Sequence, residues 1–201
     1  MKRKLLILSV LVICIATLAA GTLAYPKSEG TAHNVISTNK VAVTLNEYAD
    51  AELTKPFTDQ TGVMPGKTIG KYVVISGNDG SASAWVRVRF DIKINLDQNN
   101  GRIPADFTPD TSLVQLTTGN GWTKGEDGWY YCTTPLTAGK TTAPALETVT
   151  FAPTMGNEYQ NAVATVTVLA QAVQTANNGE TVMDAKGWPS TTTGADTAVT
   201  G

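Results

Sequence analysis

The chain has 201 residues, 42% hydrophobic and 16% charged, with 18 Gly, 9 Pro and a formal net charge of −2. That length suits a single globular domain, and with no basic stripe anywhere along it nucleic acid is excluded as a partner. One histidine, His33, and two cysteines exclude an HExxH zinc motif, a CxxC pair and any site needing several imidazoles.

The first residues read as an export signal. Lys2, Arg3 and Lys4 form a positive start, residues 5–20 an apolar run, and Thr22 and Ala24 stand where a signal peptidase reads its −3 and −1 positions. The apolar run is shorter than the roughly 20 residues that span a bilayer, so it reads as a cleavable signal helix rather than an anchor. The expected cut falls between Ala24 and Tyr25. It leaves a secreted chain with a net charge of about −5 and no stable membrane insertion. Cys14 leaves with the signal, and Cys132, without a partner, reads as a buried small hydrophobe.

Residues 25–40 form a polar leader broken by Pro26 and Gly30, with the short extended run Asn34-Val35-Ile36 near its end. Residues 41–45 make a second extended run. Pro65-Gly66 fits the centre of a type II turn, since Pro presets φ and Gly accepts a positive φ. Residues 69–76 read as a strand, and Asn78-Asp79-Gly80 as a turn leading to residues 84–96. In that stretch Ala84, Val86, Val88, Phe90, Ile92 and Ile94 alternate with Trp85, Arg87, Arg89, Asp91, Lys93 and Asn95. A helix would scatter the apolar set, whereas a strand sends it to one dry face. These two strands are expected as antiparallel neighbours.

Residues 113–117 and 129–133 form the next expected pair, and residues 122–124 and 129–131 read as arms of a tight hairpin turning at Asp127-Gly128. Residues 149–151 make a short strand and residues 162–173 a long alternating one. Residues 190–201 read as a solvated, disordered Thr/Gly tail. The fold class is therefore all-β, an antiparallel β-sandwich or jelly roll of about eight or nine strands, with its domain over residues 41–189.

No arrangement of residues suggests catalysis, a metal or a cofactor, so the chain is not expected to be an enzyme. Asp50 with Glu52, and Glu126 with Asp127, are short acidic pairs in turns, better read as solvated than as calcium ligands. Trp85, Trp122 and Trp129, with Tyr130 and Tyr131, could form an aromatic surface for a sugar, or could simply pack across strands.

The ordered set of fragments resembles the SipW-dependent signal-peptide proteins of Gram-positive bacteria, the group of TasA and camelysin. Its carriers are the leader end Gly21-Thr22-Leu23-Ala24-Tyr25, the runs at residues 31–38 and 41–45, and Val63-Met64-Pro65-Gly66-Lys67. Residues 78–81 and 84–88, Trp129-Tyr130-Tyr131, residues 170–175 and Trp188 continue it. Pro26 after Tyr25 departs from the acidic or polar run common at that point.

The resemblance implies a jelly-roll subunit of extracellular matrix or cell-surface fibres, whose N-terminal segment adds as a strand to the next copy. Carried onto this chain, Ala32, His33, Asn34, Val35 and Ile36 would form that donor interface. Alternatively, Val35 and Ile36 begin the subunit's own first strand. The partners implied are further copies of the chain, a signal peptidase and an accessory or anchoring protein. Two other readings stand beside it: a cell-surface metalloprotease, as camelysin has been described, and a monomeric domain binding glycan or protein.

Overall fold

The computed structural model describes residues 34–38, 41–60, 64–189 and 193–200, the first and last of these stretches by their backbone. The signal segment, the Ala24–Tyr25 junction, Ala32 and His33 lie outside the described residues. Among the described residues ten strands form two five-stranded antiparallel sheets: β1 (Asn34–Thr38), β2 (Val41–Tyr48), β3 (Thr68–Gly77), β4 (Ala84–Asn95) and β5 (Val114–Thr117), then β6 (Trp122–Lys124), β7 (Tyr130–Cys132), β8 (Leu146–Phe151), β9 (Val163–Gln174) and β10 (Thr193–Thr200). One sheet runs β1-β2-β3-β8-β5 and the other β10-β9-β4-β7-β6. Late strands are laid between earlier ones: β8 between β3 and β5, and β7 between β4 and β6. That interleaving across two antiparallel sheets makes the body a β-sandwich.

The long alternating stretch carries the second sheet. β4 pairs with β9 over its full length, from Ala84 opposite Gln174 to Asn95 opposite Val163. Ala84, Val86 and Val88 of β4 and Ala164, Val166, Val168, Ala170 and Ala172 of β9 turn inward and are buried. Val41, Val43 and Leu45 of β2 and Val73 and Ile75 of β3 meet them in one continuous core. Strand periodicity fixes this, because every second side chain of each ladder must find the opposite sheet.

Three expectations about pairing are corrected. Residues 69–76 and 84–96 are not neighbours: β3 and β4 lie in opposite sheets. The link between them crosses from one layer to the other, as the two apolar rows require if they are to face each other rather than lie side by side. Residues 113–117 likewise do not pair with 129–133. β5 pairs with β8, while β7 pairs with β4 and β6. Finally, Thr193–Thr200 is no solvated tail but strand β10, antiparallel to β9. Composition read Thr and Gly as unable to fill a core, whereas a strand at a sheet edge needs only main-chain hydrogen bonds and tolerant β-branched residues.

The expected turns are present. The Lys67 amide donates to the Met64 carbonyl at 3.0 Å, with Gly66 at φ +80° between them, the backbone of a type II turn. The β6–β7 hairpin closes through the Gly125 amide donating to the Trp129 carbonyl at 2.7 Å, with Gly128 at φ +82°. Cys132 is free and buried, as read from the sequence.

Two inward positions, one on β2 and one on β3, break the apolar rows. Glu47 continues the inward parity of Val43 and Leu45, and Lys71 that of Val73 and Ile75. Together they form a buried ion pair with Nζ 2.8 Å from Oε2.

Leu45, 1% exposed in the centre of this core, provides a test of the packing. Leu45→Ala should destabilise the fold by about 2–5 kcal/mol, the range for emptying a well-packed site, measured as a shift of the urea midpoint with the slope unchanged.

Candidate functional site

Three places in the fold hold side chains or backbone that could act on something else: one flank, one end and one outer face. The flank is formed by the first and last strands. Among the described residues β1 is hydrogen-bonded only to β2 and β10 only to β9, and the two approach one another across the sandwich. The opposite flank ends in β5 and β6, of four and three residues, and such short edges give little backbone to an incoming strand. Of the donor residues expected from the sequence, Asn34, Val35 and Ile36 lie in β1, opposite Leu45, Thr44 and Val43 of the same chain.

The end of the sandwich where β1 begins is identified by register. Asn34 lies at the same end as Tyr48 closing β2, Thr68 opening β3 and Phe151 closing β8. In the other sheet this end holds Asn95 closing β4 and Val163 opening β9. Here the two sheets part around a cleft of about 400 Å³ lined chiefly by Met64, Ile94, Phe151, Met155, Tyr159 and Ala164. Met64 is 63% exposed. Tyr159 is held from behind: its ring meets Phe107 edge-on at 5.4 Å, and its hydroxyl accepts from the Asp110 amide at 3.0 Å. A mostly apolar cleft between sheets, with a few amide side chains (Asn157, Gln160 and Asn161) in its wall, suits an extended or apolar segment.

The outer face of the second sheet carries the expected aromatic surface, but most of it is covered. The chain after β9 folds back so that Val182, Ala185 and Trp188 pack on Trp85, Trp129, Tyr131 and Val173. Trp85 and Trp129 are buried, and the Trp85 indole donates to the Asn178 carbonyl at 3.1 Å. Trp122 packs against the main core from its rim and donates to the Ala143 carbonyl at 3.0 Å. The three tryptophans therefore form no open platform. Alternation marked one face of β4 as wet, and the covering segment lies too far along the chain for periodicity to reveal it.

At the centre of this second layer lies Arg87. Its guanidinium carbon sits 4.3 Å from the Trp129 ring centroid and 4.4 Å from that of Trp188. Its Nε and Nη2 donate to Gln171 Oε1 at 3.0 and 2.7 Å, and Nη1 donates to the Tyr131 hydroxyl at 3.1 Å. Gln171 Nε2 in turn donates to the Pro189 carbonyl at 2.8 Å. With two indole rings close to its guanidinium and acceptors along its edge, Arg87 is satisfied within the chain and acts as a clasp on the C-terminal segment.

Asp127 completes the clasp. Burial alone would raise its pKa, but the Tyr131 hydroxyl donating at 2.6 Å, the Trp129 amide at 3.1 Å and the nearby Arg87 charge outweigh burial and hold it below the usual carboxylate range. Burial, then the bond to Asp127, pushes the Tyr131 phenol up.

The other acidic pair from the sequence is absorbed locally. Asp50 accepts from the Thr54 and Lys55 amides at 2.9 and 3.1 Å and so caps its own turn. Among the described residues no three His, Cys, Asp or Glu side chains gather as a metal site. No family model and no curated protein matches the sequence.

The clasp is open to a double test. Trp188→Ala removes one of the two indole rings and should lower stability by about 2 kcal/mol, between an exposed cation–π contact and a full core truncation. Hydrogen exchange over residues 178–188 should quicken most. Because the Asp127 pKa is depressed in the folded state, its contribution is present above the ordinary carboxylate pKa and lost as pH falls through the lowered one. Tryptophan fluorescence should report the clasp loosening on that acid side, and Asp127→Asn should remove this pH dependence.

Proposed function

We propose that this chain is a secreted, non-catalytic structural subunit that assembles with copies of itself into an extracellular or cell-surface fibre, the N-terminal segment of one copy adding to the next. One observation carries the reading: β1, the strand into which the leader runs, is an edge strand that begins at the end of the sandwich holding the open apolar cleft. A segment leaving one subunit there meets, on a second copy, both a sheet edge for its backbone and a cleft for its side chains.

The chemistry of the leader suits that role. Residues 25–33 include Tyr25, Pro26 and Ala32 as apolar contacts, and Lys27 with Glu29 as the only formal charges. The order of the fragments resembling SipW-dependent matrix proteins points the same way, as does the export-type start of the chain. A β-sandwich body with one flank blunted by short strands and the other formed by the terminal strands is suited to growth by strand addition.

The test is assembly itself. Chain beginning at Tyr25 should form fibres by negative-stain microscopy, and chain beginning at Asn39 should remain a folded, non-fibrous species. Met64→Asp places a charge at the exposed rim of the cleft, so it should slow fibre growth at least tenfold while shifting stability by less than about 0.5 kcal/mol, as surface changes do. A mature chain that stays monomeric at high concentration would overturn the reading.

A further inference from the structure

Lys71 is the largest side chain among the described residues to be removed fully from solvent. It enters the core from β3, 0% exposed, and its ammonium meets the 5% exposed Glu47 of the neighbouring β2 at 2.8 Å. The Phe57 ring lies 4.2 Å from Nζ, and Phe57 is itself buried. Apolar residues would fill these positions at no desolvation penalty, since a buried ion pair seldom stabilises a fold beyond well-packed hydrophobes. A lysine and a glutamate held together in a dry site are, however, the two reactants of an amide.

We propose that Lys71 and Glu47 condense within the folded chain into a side-chain amide, an autocatalytic cross-link between β2 and β3. The steps balance without any other reactant. A proton passes from Nζ to Oε2 along the existing contact, leaving a neutral amine beside a carboxylic acid. The Nζ lone pair adds to Cδ of Glu47, forming the C–N bond. The C–OH bond then breaks, and the hydroxyl leaves with one amine proton as water.

In bulk water the first step is uphill, because both charged groups are strongly solvated. In this site burial holds the Lys71 pKa below the ordinary lysine range, although the Glu47 contact and the weaker pull of Asp59 oppose it. Drying therefore narrows the gap between the ionised and neutral pairs. Fixed proximity supplies the rest, since well-oriented intramolecular partners react as though at about 10⁵–10⁸ M. The bond would close a ring around the loop between Glu47 and Lys71, bracing the end of the sandwich where the cleft lies. The inference is independent of the fibre reading, because it concerns the subunit alone.

Mass spectrometry of the secreted chain, denatured and proteolysed, tests it directly. The expected result is a single branched peptide, joining the β2 fragment with Glu47 to the β3 fragment with Lys71 and lighter than their sum by one water. Lys71→Arg and Glu47→Ala should each release the two fragments separately. Should either variant fail to fold, the wild-type peptide still decides. Two separate, unmodified fragments from wild-type protein held folded for a prolonged period would overturn the proposal. So would a loss of water that maps to other residues.

Discussion

The ladder between β4 and β9 is the constraint on which the rest of this molecule depends. Its twelve paired positions commit two long apolar rows to one side, and no smaller element could cover them. The first sheet exists to do so, with β2 and β3 supplying the opposing valines and leucine. Once the layers are fixed, the connection from β3 to β4 has to cross between them. The late strands β7 and β8 then fill the places left beside β4 and β3. Topology here follows from which rows need covering.

Sequence periodicity revealed this body well because the signal is strong where a strand is long and one face is dry. The stretches at residues 84–96 and 162–173, the Pro65-Gly66 turn and the Asp127-Gly128 hairpin all appear where alternation and turn chemistry put them. Partner choice was less legible. Alternation says which face of a strand is inward but not which strand lies beside it, so β3 and β4 read as a hairpin when they are in fact stacked. β10 was missed for a related reason: an edge strand of Thr, Gly and Ala has backbone to pair but no apolar row to announce it.

The candidate sites were legible to different degrees. Arg87 and the tryptophans stood out as residues, yet only the fold shows that residues 182–188 roof them over and turn a supposed surface into a second small core. The cleft combines Met64, Ile94, Phe151 and Ala164 from four separate parts of the chain, and no local pattern links them. Lys71 and Glu47 could have been found. Each sits at an inward position of a strand, where a charged residue interrupts the alternation and so calls for a buried partner of opposite sign.

The meeting of β1 and β10 on one flank has a consequence for how the chain can be cut and rejoined. By register, Asn34 and Thr200 come to the same end of the sandwich, so the described body is nearly circular in its connectivity. A short linker could splice these ends, and new termini could open at the Gly125–Gly128 turn, which lies between β6 and β7 and interrupts no strand. Such circular permutants would carry the same sandwich with β10 running on into β1.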